Sequence, residues 1–158
     1  MSSTTERGRG QALAVFALSL TAVLLAAALA FDVGSVLLER RDEQNAADAA
    51  AMSGARYVLD DQSMARTVAR DLATANGFTH GVDWQSVEVN IPPTTGPWKG
   101  FRNSVEVIIA NNRPSIFAGV AGILDWQVSA RAVAAQLDGV GGPWAFMVTM
   151  METWGSNR

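Results

Sequence analysis

The chain of 158 residues has no cysteine and a single histidine, His80. Without cysteine neither a disulfide scaffold nor a thiolate metal site can form. One imidazole beside Thr79 and Gly81 cannot complete a ligand set, so no metal and no cofactor are expected and His80 reads as a solvated loop residue. No phosphate-cradling glycine loop, nucleophile elbow or Ser-His-Asp order is present. Asp60 and Asp61 are adjacent carboxylates, but they fall where a helix needs an amino-terminal cap, which explains them without acid-base chemistry. Neither an enzyme nor a small-molecule substrate is expected. Basic runs are missing too: the net charge is −3, and after Phe31 ten Arg or Lys face fourteen Asp or Glu, which argues against nucleic acid as a partner.

What is present in abundance is apolar sequence, 49% of the chain, concentrated at one end. Residues 12–31 carry no charge and only two hydroxyls, Ser19 and Thr21, and at the helical rise they span about 30 Å, one bilayer core. No second run of this kind follows, so one span over residues 11–32 is expected to hold one extramembrane domain, residues 33–137. Residues 138–158 read as a Gly-rich linker and an apolar tail. Arg7 and Arg9 outweigh Glu6 in residues 1–10, whereas Asp32, Glu39, Asp42 and Glu43 outweigh Arg40 and Arg41 beyond the span. The positive-inside tendency then keeps the amino terminus in the cytoplasm and sends the domain outward across the cytoplasmic membrane. A secretory signal peptide cut after Ala28-Leu29-Ala30 is the alternative, but the run exceeds a usual signal core and helical register continues beyond it, which favours a retained anchor.

From residue 33 to residue 59 there is no proline, and Val33, Val36, Leu37, Arg40, Gln44, Ala47, Ala51, Gly54 and Val58 recur at steps of three and four. With six alanines between Ala46 and Ala55 the spacing predicts a rod of some fifty residues, weakest at Gly34 and Gly54. Asp60, Asp61 and Ser63 predict a break and a new cap for a second helix over 64–75, closed by Asn76-Gly77. From Trp84 the period becomes two, giving strands around Val87, Val89 and Ile91 and around Val105, Val107 and Ile109. Trp84 and Trp126 suit strand burial. Residues 92–100 form a turn-rich loop in which Trp98 is a candidate recognition anchor. A short helix is expected over 116–124, then a third strand with a small inner face, Ala130, Ala132 and Ala134. The expected class is α+β: a long helix, a second helix and a small antiparallel sheet packed on both.

Arg9 to Leu18 (RGQALAVFAL), Phe31-Asp32-Val33-Gly34, Arg40-Arg41 and Gln44 to Ala51 (QNAADAAA) together resemble the amino-terminal region of TadE/TadG-like proteins of tight-adherence (Flp) pilus systems. The later segment from Pro114 to Ala134 resembles them more faintly. The resemblance implies a bitopic, non-catalytic pilus component, a minor pilin or pseudopilin, partnered by membrane lipid and by other pilin-like or pilus-assembly proteins, itself included. In the TadE-like branch a prepilin-peptidase junction follows a glycine, and Gly10-Gln11 stands at that position. The fifth residue after it is Val15 where that branch has a glutamate, so no carboxylate is offered to a neighbour's new amino terminus. This departure points to the unprocessed TadG-like branch.

Three further features are candidate sites. Asn45, Ala47, Asp48, Ala50, Ala51 and Gly54 form a helix-packing face whose small side chains admit either another subunit or the domain's own sheet. Asp32 and Gly34 mark the membrane boundary, Asp32 where the span meets water and Gly34 where packing is relieved; Asp32 to Val36 fails the Asp-x-Ser-x-Ser metal pattern because glycine and valine occupy its third and fifth positions. The rival to a pilus component is a secreted or membrane-tethered module that binds a ligand through the Trp98 loop.

Overall fold

The computed structural model describes residues 4–136. The expected linker and tail at 138–158, with Trp144 and Trp154, lie outside the described residues, as do residues 1–3. The elements are helix α1 (Thr4–Ala55), helix α2 (Gln62–Ala75), strand β1 (Gln85–Asn90), strand β2 (Ser104–Pro114), a 3₁₀ turn (Ala118–Ala121) and strand β3 (Asp125–Ala135). This is the expected α+β class. The sheet is antiparallel throughout in the order β1-β2-β3, with Val89 opposite Val107 and Val107 opposite Ala132.

Helix α1 is one unbroken element through Gly34, and Gly54 sits in its last turn. Alanine-rich sequence keeps the local helical preference high across the second half of the helix, which offsets the two glycines. The chain leaves the helix through a turn in which Asp61 N donates to Tyr57 O at 2.8 Å. The Asp61 carboxylate then caps α2 by accepting from Ser63 N and Met64 N at 2.8 and 3.0 Å. Asn76 and Gly77, the latter at φ +95°, end α2 as expected.

The core is thin because its helical side is built of alanine. Ala46, Ala47, Ala50, Ala51 and Ala55 of α1 and Ala65, Ala69 and Ala73 of α2 are buried against Val87, Val89, Val105, Val107, Ile109 and the alanines of β3. Small residues on both surfaces let helix and sheet backbones come close, so tight contact replaces side-chain bulk. Gly54 marks the tightest point. A Cβ there would meet Ala65 O at 3.0 Å, Ala69 Cβ at 3.2 Å and Val105 Cγ1 at 3.3 Å.

Three expectations are corrected. Residues 116–124 form only a four-residue 3₁₀ turn inside an apolar loop, because Gly119 and Gly122 interrupt the pattern and Gly122 takes φ +87°. Trp84 is 83% exposed rather than buried: it precedes β1 in a left-handed conformation, φ +64°, that turns it out of the strand's alternation. Gly34 relieves no crowding, since a Cβ there would have nothing within 4 Å among the described residues.

Candidate functional site

Residues 11–27 of α1 are exposed on every side of the helix, including Leu13 and Leu18 at 73% each and Phe16 at 68%. Such a continuous apolar surface is unfavourable in water and matches hydrocarbon instead. The two hydroxyls within it present no free donor: Ser19 Oγ donates to Val15 O at 2.8 Å and Thr21 Oγ1 to Ala17 O at 2.9 Å. Among the described residues this is the one helix long and apolar enough to cross a membrane. Gly10 and Gln11 both lie inside α1, and Gln11 is exposed.

Where the apolar run ends, the chain does something that residue order alone does not reveal. Asp32 is 1% exposed, and its carboxylate accepts from the backbone N–H groups of Phe117 and Ala118, at 2.9 and 2.5 Å to Oδ2. Phe31 packs edge-on against Phe117 with ring centroids 5.9 Å apart. A residue expected to mark the water boundary is thus a clamp that holds the β2–β3 loop against the helix. One to two turns higher, Glu39 accepts from Asn111 Nδ2 at 3.0 Å and pairs with Arg113.

Of the expected helix-packing face, Ala47, Ala50, Ala51 and Gly54 are covered within the protomer by the sheet and α2. Asn45 is exposed, and Asp48 is half-buried, accepts from Gln44 Nε2 at 2.9 Å, and has its carboxyl pushed above the ordinary value by burial. Glu43 lies one turn before this face and is fully buried, with no partner for either carboxylate oxygen among the described residues. Burial, then the charge of Glu39, pushes it up to about 8 against the opposing pull of Arg40. It is therefore largely protonated at neutral pH.

Trp98 is half-buried and meets Phe101 edge-on at 5.5 Å. Its loop is not free. Glu106, fully buried on the sheet face away from the helices, accepts from Thr94 N at 3.0 Å, Thr94 Oγ1 at 2.8 Å, Thr95 Oγ1 at 3.2 Å, Asn90 Nδ2 at 3.0 Å and Arg131 Nε at 2.7 Å. Burial alone would raise its pKa, but these donors together hold it below the ordinary value. Arg131 also donates from Nη2 to Thr95 O at 2.8 Å, so the loop is tied across that face. His80, exposed as expected, accepts from Val87 N at 3.1 Å through Nδ1. Among the described residues no group of three or more His, Asp or Glu is placed to hold a metal ion.

Sequence reasoning missed the structural parts of Glu43 and Glu106. Glu43 carried a signal, since it falls three and four residues from Ala46 and Ala47 on the stripe that meets the sheet. Glu106 carried none, because a lone acid on the outward side of a strand ordinarily faces water.

Comparison with known proteins bears on α1. No curated protein and no solved structure matches the chain. Residues 10–56 match the Tad family, Flp pilus-assembly TadE/G-like, a segment that begins just before the apolar run and ends one residue after α1, so the match supports the TadE/G-like pilus-assembly family for this chain.

Proposed function

We propose that this chain is a single-pass membrane component of a Tad/Flp-type adhesive pilus system, structural rather than catalytic, acting as a minor pilin or pseudopilin of the TadG-like branch. The observation that carries the reading is the continuity of α1: one helix is bare and apolar over its first half, buries alanines under its own sheet over its second, and lies almost wholly within the family match. A rigid link of this kind transmits position from the bilayer to the domain without a hinge. The amino terminus faces the cytoplasm and the domain faces outward, as the charges of Arg7 and Arg9 favour.

Partners in this reading are lipid around the span and other pilus-assembly proteins, or a second copy, along the exposed side of α1. Asn45 and the flanking Met52 lie on that side, while the alanine face serves the protomer. Val15 in place of a carboxylate supports an unprocessed amino terminus at Gly10-Gln11.

Mass spectrometry of the mature amino terminus in membrane fractions tests the anchor, and imaging of surface fibres after deletion tests the role. An intact start with loss of fibres on deletion is expected. A start near Phe31 in a soluble fraction would instead establish the secreted ligand-binding module, and unchanged fibres would refute the pilus role.

A further inference from the structure

We propose that the β2–β3 loop, residues 115–124, is a second membrane element, which dips into the lipid beside the α1 span and moves the water boundary from Asp32 up to Glu39. The proposal rests on the membrane-anchored reading above and adds to it a specific lipid-contacting surface.

The loop has no charged residue, and its side chains are exposed although apolar: Val120 is 85% exposed, Leu124 73% and Ile116 59%. A soluble domain seldom leaves so many large apolar groups uncovered in one short loop. Its position explains them. Asp32 holds Phe117 and Ala118 at the end of the apolar run, and an open apolar cleft of about 810 Å³ runs between the loop and the span, with Ile116 and Phe117 on one wall and Thr21, Leu24, Ala28 and Phe31 on the other. That cleft reaches below Asp32 to the level of residues 21–28, so whatever surrounds the span there also fills the cleft. Lipid acyl chain is the occupant that continuity with the span requires.

The polar groups of the loop fit such a site. Ser115 N donates to Leu124 O at 3.0 Å, Ser115 Oγ to Ile123 O at 2.5 Å, Val120 N to Phe117 O at 3.1 Å and Ile123 N to Ala118 O at 3.1 Å. With Phe117 and Ala118 bound to Asp32, most of the loop's N–H groups are satisfied internally, as a lipid environment demands. Asp32 itself is 1% exposed, so its carboxylate is sheltered by the loop rather than offered to lipid.

Above the loop the charges gather at one level. Arg113 pairs with Glu39 at the end of β2, and Asp125 opens β3 opposite Pro114. Between residues 12 and 38 Asp32 is the only charged residue, and Val33, Leu37 and Leu38 are exposed. Those 27 positions rise about 40 Å along a helix, the hydrocarbon core plus its interfacial layers. The drop from Glu39 to Asp32 is about 10 Å along α1, the depth to which interfacial apolar elements bury.

The native chain has no cysteine, so single cysteines can carry an environment-sensitive fluorophore without background. The full chain is reconstituted in vesicles of phosphatidylethanolamine and phosphatidylglycerol that contain lipids with a doxyl quencher either near the headgroup or deep in the acyl chain. Val120→Cys and Leu124→Cys report the loop, Leu24→Cys the span and Thr74→Cys the water-facing domain; all four positions are exposed, so labels leave the core intact. The expected result is a blue shift and loss of most emission at 120 and 124 with the shallow quencher, loss at 24 with the deep one, and neither at 74. Water-like emission at 120 and 124 with quenching at 24 overturns the loop proposal while the anchor stands. No quenching at 24 refutes the anchor itself. Emission at 120 that is shielded from aqueous iodide yet unquenched by lipid at every protein dilution shows a protein partner on the loop, and that also overturns the proposal.

Discussion

Removing the charge-bearing carboxyl of Glu43 should abolish a pH dependence that the wild-type domain shows between mildly acidic and mildly alkaline conditions. Glu43 is fully buried, lacks a partner, and has a pKa of about 8 in the folded protein against an ordinary 4.5. A carboxyl raised on folding means that the folded state holds the proton while the unfolded chain releases it, so stability falls as pH rises from about 4.5 to about 8 and levels off above. At about 1.4 kcal/mol per pH unit the ceiling over that window is about 5 kcal/mol, and with relaxation and hydration beside the exposed Arg40 about 2–3 kcal/mol is expected. Asp48, also raised, adds to the fall at its acidic end. Glu106, which is lowered, acts in the opposite sense. Its stabilisation is present above its unfolded value and is lost only as pH falls through its lower folded value, so it does not contribute in the neutral window. The greatest stability should therefore lie at or just below pH 4.5, the ordinary value of Glu43 and Glu106, where the Glu106 contribution is still present and the Glu43 contribution has not yet been lost. Urea unfolding of the full chain in a non-ionic detergent, read by near-ultraviolet dichroism of the tryptophans over that pH range, measures the slope. Glu43→Gln should match the wild type at pH 4.5 and below and stay nearly flat through the neutral range, where the wild type falls. Glu43→Met, which leaves no buried oxygen unpaired, should be more stable at every pH by about 1–3 kcal/mol. A Glu43→Gln protein with the wild-type slope, or a wild type with none, would refute the reasoning.

The two helical glycines should respond in opposite directions to alanine. Gly54→Ala forces a methyl against the Ala65 carbonyl and should cost about 1–2 kcal/mol in urea unfolding after the gain in helix propensity, whereas Gly34→Ala meets open space and should gain up to about 1 kcal/mol. Glu106→Gln removes the buried charge that the Thr94, Thr95, Asn90 and Arg131 donors bind and should destabilise the domain by about 2 kcal/mol. It should also raise amide exchange at Thr94, whose N–H loses a charged acceptor; unchanged exchange there would show that Glu106 does not hold the loop.

The sequence was informative where neighbours along the chain decide the outcome. Residues 12–31 read as a span because composition alone sets their solvent preference, and Asp61 read as a cap because its acceptors lie two and three residues away. Alternation placed the strands, and the small inner face of β3 foretold a close helix. The same reasoning failed at Trp84, where a local backbone reversal cancels the alternation, and at 116–124, where two glycines divide an apolar face too short to sustain a helix.

By itself, then, the order of residues determined the long helix, its apolar half, the α+β class and the likeness to Tad-type proteins, because each depends on local propensity or on solvent preference summed along the chain. Only tertiary structure decided which charges would be withdrawn from water. Asp32 meets its donors 85 and 86 residues further on, Glu106 gathers donors from β1, the following loop and β3, and Glu43 is shut in by the sheet laid over α1. Burial of a polar group depends on what the rest of the chain places over it, and no local pattern records that.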